Sequence, residues 1–128
     1  MYVKHLTFYS YPSCTSCRKA KHLLKTQNVD FQERHLFRDP PTIDELKDLL
    51  RLTTDGIDEI LAIRSQTYKD LEFDVNEMSL SELLKLINQD PKLLRRPIIT
   101  DGQQLIVGYN LHELSKVVKK KEVKRSVS

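Results

Sequence analysis

At 128 residues the chain holds one domain and has no room for two ordinary ones. With 39% hydrophobic and 30% charged residues, three glycines and five prolines, it has the composition of a helix-rich globular protein, and its apolar runs are too short to span a membrane. The net charge of +3 belongs to the tail: residues 116–128 carry six Lys or Arg against Glu122, which leaves the first 115 residues at −2. Residues 1–6 ("MYVKHL") lack an apolar signal core and a small-residue cleavage site, so a cytoplasmic protein is expected, where stable structural disulfides are rare.

Val3 to Tyr9 alternates apolar and polar residues and is rich in β-branched and aromatic types, which predicts a strand ended by Pro12. From Thr15 or Ser16 to Gln27, the spacing of Ala20, Leu23, Leu24 and Gln27 predicts a helix, with Asn28 as its stop. Val29 to Phe37 is a second predicted strand. Thr42 to Leu52 is helical, with Thr42 and Glu45 as a capping box and Ile43, Leu46, Leu49 and Leu50 as its buried stripe. Asp55 and Gly56 break it. A short helix through Ile57, Ile60, Leu61 and Arg64 and an irregular stretch from Tyr68 to Met78 come next. Ser79 and Glu82 cap another helix, with Leu83, Leu84, Leu86 and Ile87 inward. Arg95 to Thr100 is a third strand, Asp101-Gly102 a hairpin turn, and Gln104 to Val107 a fourth strand. Asn110 caps a final helix with Glu113 at its third position.

The order is therefore β-α-β, a helical block, then β-β-α. Residues 1–118 are expected to form one domain with a helical insertion over about 40–90, and residues 119–128 a flexible basic tail. Such a tail suits weak or indirect contact with nucleic acid or an acidic partner, or is simply a solvated end.

The chemistry concentrates in "PSCTSC". A cytosolic C-x-x-C at the turn from strand to helix reads as a thioredoxin-like redox pair. Cys14 would stand at the helix N-terminus, where unpaired N–H groups and the helix dipole favour a thiolate, and Cys17 would lie within disulfide reach. Arg18 and Lys19 add positive charge nearby. Pro97, opening the third strand, is the candidate cis-proline that such folds place beside the cysteines; an ordinary trans-proline would also fit. Zinc would need four ligands, and with two cysteines and no paired spacing among His5, His22, His35 and His112, neither a metal nor another cofactor is expected. Arg95 and Arg96 point to opposite sides of an extended segment, so one of them can approach the Cys14 sulfur or an anion. After Asp55, Gly56 is free to take a positive φ, and its missing side chain would admit a partner backbone; a plain helix-breaking turn would use glycine as readily.

The stretches "PSCTSCRKA", "LLRLTTDGIDEI" and "LLRRPIITDGQQLIVGYN" together resemble the Spx family of redox-sensing transcription regulators, within the arsenate reductase superfamily. The resemblance covers nearly everything from Leu6 to Leu114. It implies an α/β fold, thioredoxin-like of the glutaredoxin type, and a protein that turns over no substrate. It implies binding to the C-terminal domain of the RNA polymerase α subunit and altered promoter use under thiol stress. On it, Cys14 and Cys17 match the disulfide switch, Gly56 the point of contact with α, Arg64 a basic residue implicated in regulator activity, and Arg96 the arginine that senses the oxidised state. Arg96 would pair a Cys14 thiolate across the Pro97 turn and lose that partner on oxidation.

The chain departs from the family in extra residues ahead of the first strand and in the tail "KKKEVKRSVS". That tail differs from the C-terminus through which the family meets its protease and adaptor, which puts this partner in question. The competing reading is an arsenate reductase or related thiol oxidoreductase, with Cys14 as nucleophile and Arg64 and Arg96 caging the oxyanion. Such enzymes commonly show a single cysteine in this turn, whereas Cys17 would capture an oxidised Cys14.

Overall fold

The computed structural model describes residues 6–117. Its sheet has four strands in the order β2-β1-β3-β4, formed by β1 (Thr7–Ser10), β2 (Gln32–His35), β3 (Ile98–Thr100) and β4 (Leu105–Val107). β1 runs parallel to β2 and antiparallel to β3, and β3 pairs with β4 across the Asp101-Gly102 turn. Helix α1 (Thr15–Thr26) joins β1 to β2. Helices α2 (Ile43–Arg51), α3 (Gln66–Lys69) and α4 (Leu80–Gln89) lie between β2 and β3. Residues 111–117 form α5, whose first turn is capped by Asn110 Oδ1 accepting from the Glu113 N–H at 3.1 Å.

Strand alternation divides the interior in two. Phe8 and Ile99 face α1 and α5, where they pack with Ala20, Leu24, Ile106 and Leu114. Tyr9 and Ile98 face the other way, onto Leu36, Leu46, Leu49, Leu83, Leu84 and Ile87. The helical block thus covers the sheet face that α1 leaves bare. Each fully buried Leu or Ile contributes about 1.5–3 kcal/mol.

Local chemistry sets the helix limits. Thr42 and Ser79 form complete capping boxes with Glu45 and Glu82. Beyond α1, Asn28 takes φ 56°, and Val29 N–H returns to the Leu24 carbonyl at 2.9 Å. Gln27, expected on the buried stripe, is exposed, because the chain turns away there.

The strands are shorter than the sequence predicts. Residues 3–5 of the first lie outside the described residues. β2 keeps only Gln32–His35 of the stretch 29–37. Its end is a side-chain event: His35 Nδ1 accepts from the N–H groups of Phe37 (3.2 Å) and Arg38 (3.3 Å) and turns the chain. β3 starts at Ile98, because Pro97 has no N–H to give and Arg95 N–H bonds instead to the Ile60 carbonyl at 2.9 Å. The helix predicted through Arg64 is a single 3-10 turn, Ile57–Glu59, after which Leu61 bridges antiparallel to Leu94. Within the stretch expected to be irregular, Asp74 caps a 3-10 turn, Val75–Glu77; just ahead, Ser65 caps α3.

Arg34 ties β2 to the helical block. Its guanidinium donates to the Glu45 carboxylate, to Asp39 (Nε at 3.1 Å) and to the Asp39 and Pro40 carbonyls (3.2 and 3.1 Å), and stacks 5.1 Å from the Tyr9 ring. Burial alone would raise the Glu45 carboxyl; Arg34 and the capping bonds to Thr42 more than offset this and hold it below its ordinary 4.5. Glu45 therefore stabilises the fold above that value, and the contribution is lost as pH falls through the lower folded one. Arg34→Ala is expected to cost about 2–3 kcal/mol near pH 7, less than a fully buried pair because the Glu45 carboxylate is partly exposed and that of Asp39 largely so. The gap to wild type should narrow as pH falls below 4.5. Urea unfolding of both proteins at several pH values checks this; a gap independent of pH would assign the loss to packing alone.

The cysteine turn and the arginine groove

Cys14 is the N-cap residue of α1, with extended backbone (φ −86°, ψ 114°). The geometry follows from the sequence: Pro12 stops the strand, and a tight turn closes with Cys14 N–H on the Tyr11 carbonyl at 3.2 Å. The sulfur takes the place of a capping hydroxyl. Cys14 Sγ accepts from the Cys17 N–H at 3.1 Å.

The two thiols, both free, sit in different surroundings. Cys14 is half-buried at the mouth of a groove, whereas Cys17 is 2% exposed and packs beneath it against the α1 side of the sheet. Burial first, then the hydrogen bond to Cys14, pushes the Cys17 thiol well above the usual range. Cys17 is thus held as a neutral thiol behind an accessible partner. The accessible sulfur is the one an oxidant meets first.

The groove is about 590 Å³ in volume and is lined by Tyr11, Cys14, Asp58, Arg64, Arg95 and Arg96 together with the 61–65 segment. The long connection between β2 and β3 supplies one wall, so residues far apart in the chain meet at the cysteine. Arg64 is exposed on the rim. Arg95 reaches back to the Glu59 carbonyl at 3.4 Å. Arg95 and Arg96 both border this groove, and their guanidinium groups have different partners.

Arg96 is placed differently from the sequence expectation. Among the described residues it makes no hydrogen bond to Cys14. Its Nη1 donates to the carbonyls of Lys92 and Leu94, each at 3.3 Å, and its Cζ lies 4.6 Å from the centre of the Tyr11 ring. The carbonyls are free to accept because the 3-10 turn Pro91–Leu93 ends there in extended backbone. The Arg96–Pro97 peptide is cis, Pro97 is buried, and its carbonyl accepts from Gly108 N–H at 2.8 Å.

Gly56 stands outside the groove but joins it through the Ile57–Glu59 turn, whose Asp58 lines the wall. Its backbone (φ 87°, ψ −158°) is open to glycine and few other residues, and a Cβ built there would meet nothing within 4 Å. The loop ahead of it is held by the Glu59 carboxylate, which accepts from the Asp55 N–H and from Thr54 Oγ1. Gly56 therefore presents bare backbone to solvent.

Tyr11 escaped the sequence reading as a site residue, although an aromatic side chain directly before the proline of a redox turn was a usable signal. Asp58 escaped as well, since nothing local places it opposite a cysteine.

Residues 9–117 match the ArsC family. The chain belongs to that family. It is 59% identical over 123 residues to the regulatory protein MgsR of Bacillus subtilis, a match covering 96% of this chain and 98% of that one. It is 47% identical over 116 residues to the global transcriptional regulator Spx of the same organism, covering 91% of this chain and 88% of that one. Its fold is also that of an arsenate reductase from Vibrio cholerae, at a TM-score of 0.79 and 23% identity over 90% of this chain and 98% of that one. The thioredoxin-like α/β fold expected from the sequence is the fold of this family. No helix among the described residues is long and apolar enough to cross a membrane.

Proposed function

We propose that this protein is a redox-responsive transcription regulator of the cytoplasm, switched by a disulfide between Cys14 and Cys17 and acting through the C-terminal domain of the RNA polymerase α subunit. The observation that carries the reading is the asymmetry of the two thiols: a half-buried Cys14 capping α1, and a buried, neutral Cys17 one turn behind it. Peroxide converts the Cys14 thiol to a sulfenic acid and releases water; the Cys17 thiol then attacks that sulfur and releases a second water as the disulfide forms. The kinship with MgsR and Spx, both named as regulators, supports the transcriptional role. The bare backbone at Gly56 suits close approach of a protein partner, and the position of Arg64 and Arg96 on the same groove as Cys14 supports a role in conveying its state.

One observation favours an enzyme: Cys14 shares its groove with Arg64, Arg95 and Arg96, an arrangement that suits an oxyanion. Against turnover, Arg96 is already engaged by two carbonyls and a ring, and Cys17 intercepts the oxidised Cys14. The test is mass spectrometry after about one equivalent of peroxide. The peptide spanning residues 11–20 is expected to lose two hydrogens, reversibly with dithiothreitol. Accumulation of Cys14 sulfinic acid with Cys17 still free would remove the switch.

A further inference from the structure

Among the described residues, it is the Tyr11 side chain that joins Arg96 to the cysteine turn. The Tyr11 carbonyl receives the Cys14 N–H at 3.2 Å, so the residue forms the far end of the turn that carries the reactive sulfur. Its ring supports the Arg96 guanidinium on one side at 4.6 Å, well inside the range of a cation–π contact. The same ring stacks on Phe37, with centroids 4.6 Å apart and planes tilted by 38°. Phe37 is positioned in turn by the His35-capped turn that ends β2, and it has Lys92 Nζ 6.0 Å from its centre. The result is a stack running Phe37, Tyr11, Arg96, backed by the sheet and ending at the groove. The two carbonyl bonds to Arg96, at 3.3 Å, are long, so the ring supplies much of what holds the guanidinium in place.

We propose that Tyr11 is the positioning residue that seats Arg96 in the dithiol state and couples it to the cysteines. The inference rests on Arg96 being the redox relay. Disulfide formation draws Cys14 Sγ toward Cys17 and removes the sulfur as acceptor of the Cys17 N–H. The turn from Tyr11 to Cys14 adjusts, and the ring moves relative to the guanidinium above it. With a small-molecule disulfide as oxidant, the two cysteine thiols form one S–S bond, two electrons pass to the oxidant, and its two sulfurs leave as thiols carrying the two protons.

The test uses the full chain and no partner. Side-chain 15N NMR follows the Arg96 Nε–Hε resonance, assigned by its disappearance in Arg96→Lys, in dithiothreitol and after oxidation with excess glutathione disulfide. In wild type the resonance is expected to be ring-shifted when reduced and to move on oxidation. Tyr11→Phe keeps the ring and should keep both features. Tyr11→Leu should lose the ring shift and most of the response, and should exchange Arg96 about two- to fivefold more freely between sites. Tyr11→Met repeats the test with different packing should the leucine variant fold poorly. A Tyr11→Leu or Tyr11→Met protein whose Arg96 signal and response match wild type overturns the role of Tyr11. A wild-type Arg96 signal that ignores oxidation overturns the relay itself. The two failures are therefore distinct, and neither depends on whether RNA polymerase α is the partner.

Discussion

Gly56→Arg is expected to weaken binding of the RNA polymerase α C-terminal domain by at least about 100-fold, a loss of about 2.8 kcal/mol. Two effects combine in that substitution, and the structure separates them. The backbone at φ 87°, ψ −158° is strained for any residue with a Cβ, which costs about 1–3 kcal/mol of fold stability. Nothing lies within 4 Å of an added Cβ, so the strain is confined to the backbone and the new side chain projects outward. Gly56→Ala carries the strain without the bulk and is the natural control. It should lower the melting temperature about as much as the arginine does while leaving most of the affinity intact. Calorimetric titration and thermal unfolding of the two variants measure both quantities. If arginine and alanine bind equally well, the contact with α lies on another face.

The second large effect is expected at Arg96. Arg96→Ala should bring the ratio of oxidised to reduced affinity for the α C-terminal domain close to one, and should lower reduced-state affinity far less. In the dithiol form the guanidinium is occupied with the Lys92 and Leu94 carbonyls and the Tyr11 ring, and these contacts belong to one redox state only if the cysteine turn moves. The switch is then a small local rearrangement read out as a changed surface, and a tenfold change in affinity needs only about 1.4 kcal/mol. That is within what one cation–π seat and two weak hydrogen bonds contribute. The same titrations, run on Arg96→Ala with and without dithiothreitol, decide it. A ratio that matches wild type would make Arg96 a structural residue of the groove.

Much of this architecture was legible in the sequence because its determinants are local. Thr42 with Glu45 and Ser79 with Glu82 declare helix starts through contacts three residues apart, and both capping boxes are present. Asn28 ends α1 because asparagine accepts the left-handed conformation found there. The C-x-x-C turn, the Asp101-Gly102 hairpin and the positive φ at Gly56 are short-range features of the same kind. What was not legible depends on contacts between distant segments. The extent of β2 is limited by where β1 ends and by His35 folding back on its own turn. The 57–64 stretch has helical spacing, yet Leu61 is taken by Leu94. The pairing of Arg96 with Tyr11 rather than with Cys14 follows from side chains of two segments meeting over a sheet end, which periodicity does not encode.

In the proposed mechanism the redox state of Cys14 and Cys17 sets the affinity for RNA polymerase α. The most direct measurement is a pair of isothermal titrations of the purified α C-terminal domain into the fully reduced and the fully disulfide-bonded protein, under otherwise identical conditions. The expected result is binding whose affinity differs between the two states by about tenfold or more, with the difference abolished in Cys14→Ser, which cannot form the bond. Equal affinity in the two states, or no binding in either, would contradict it.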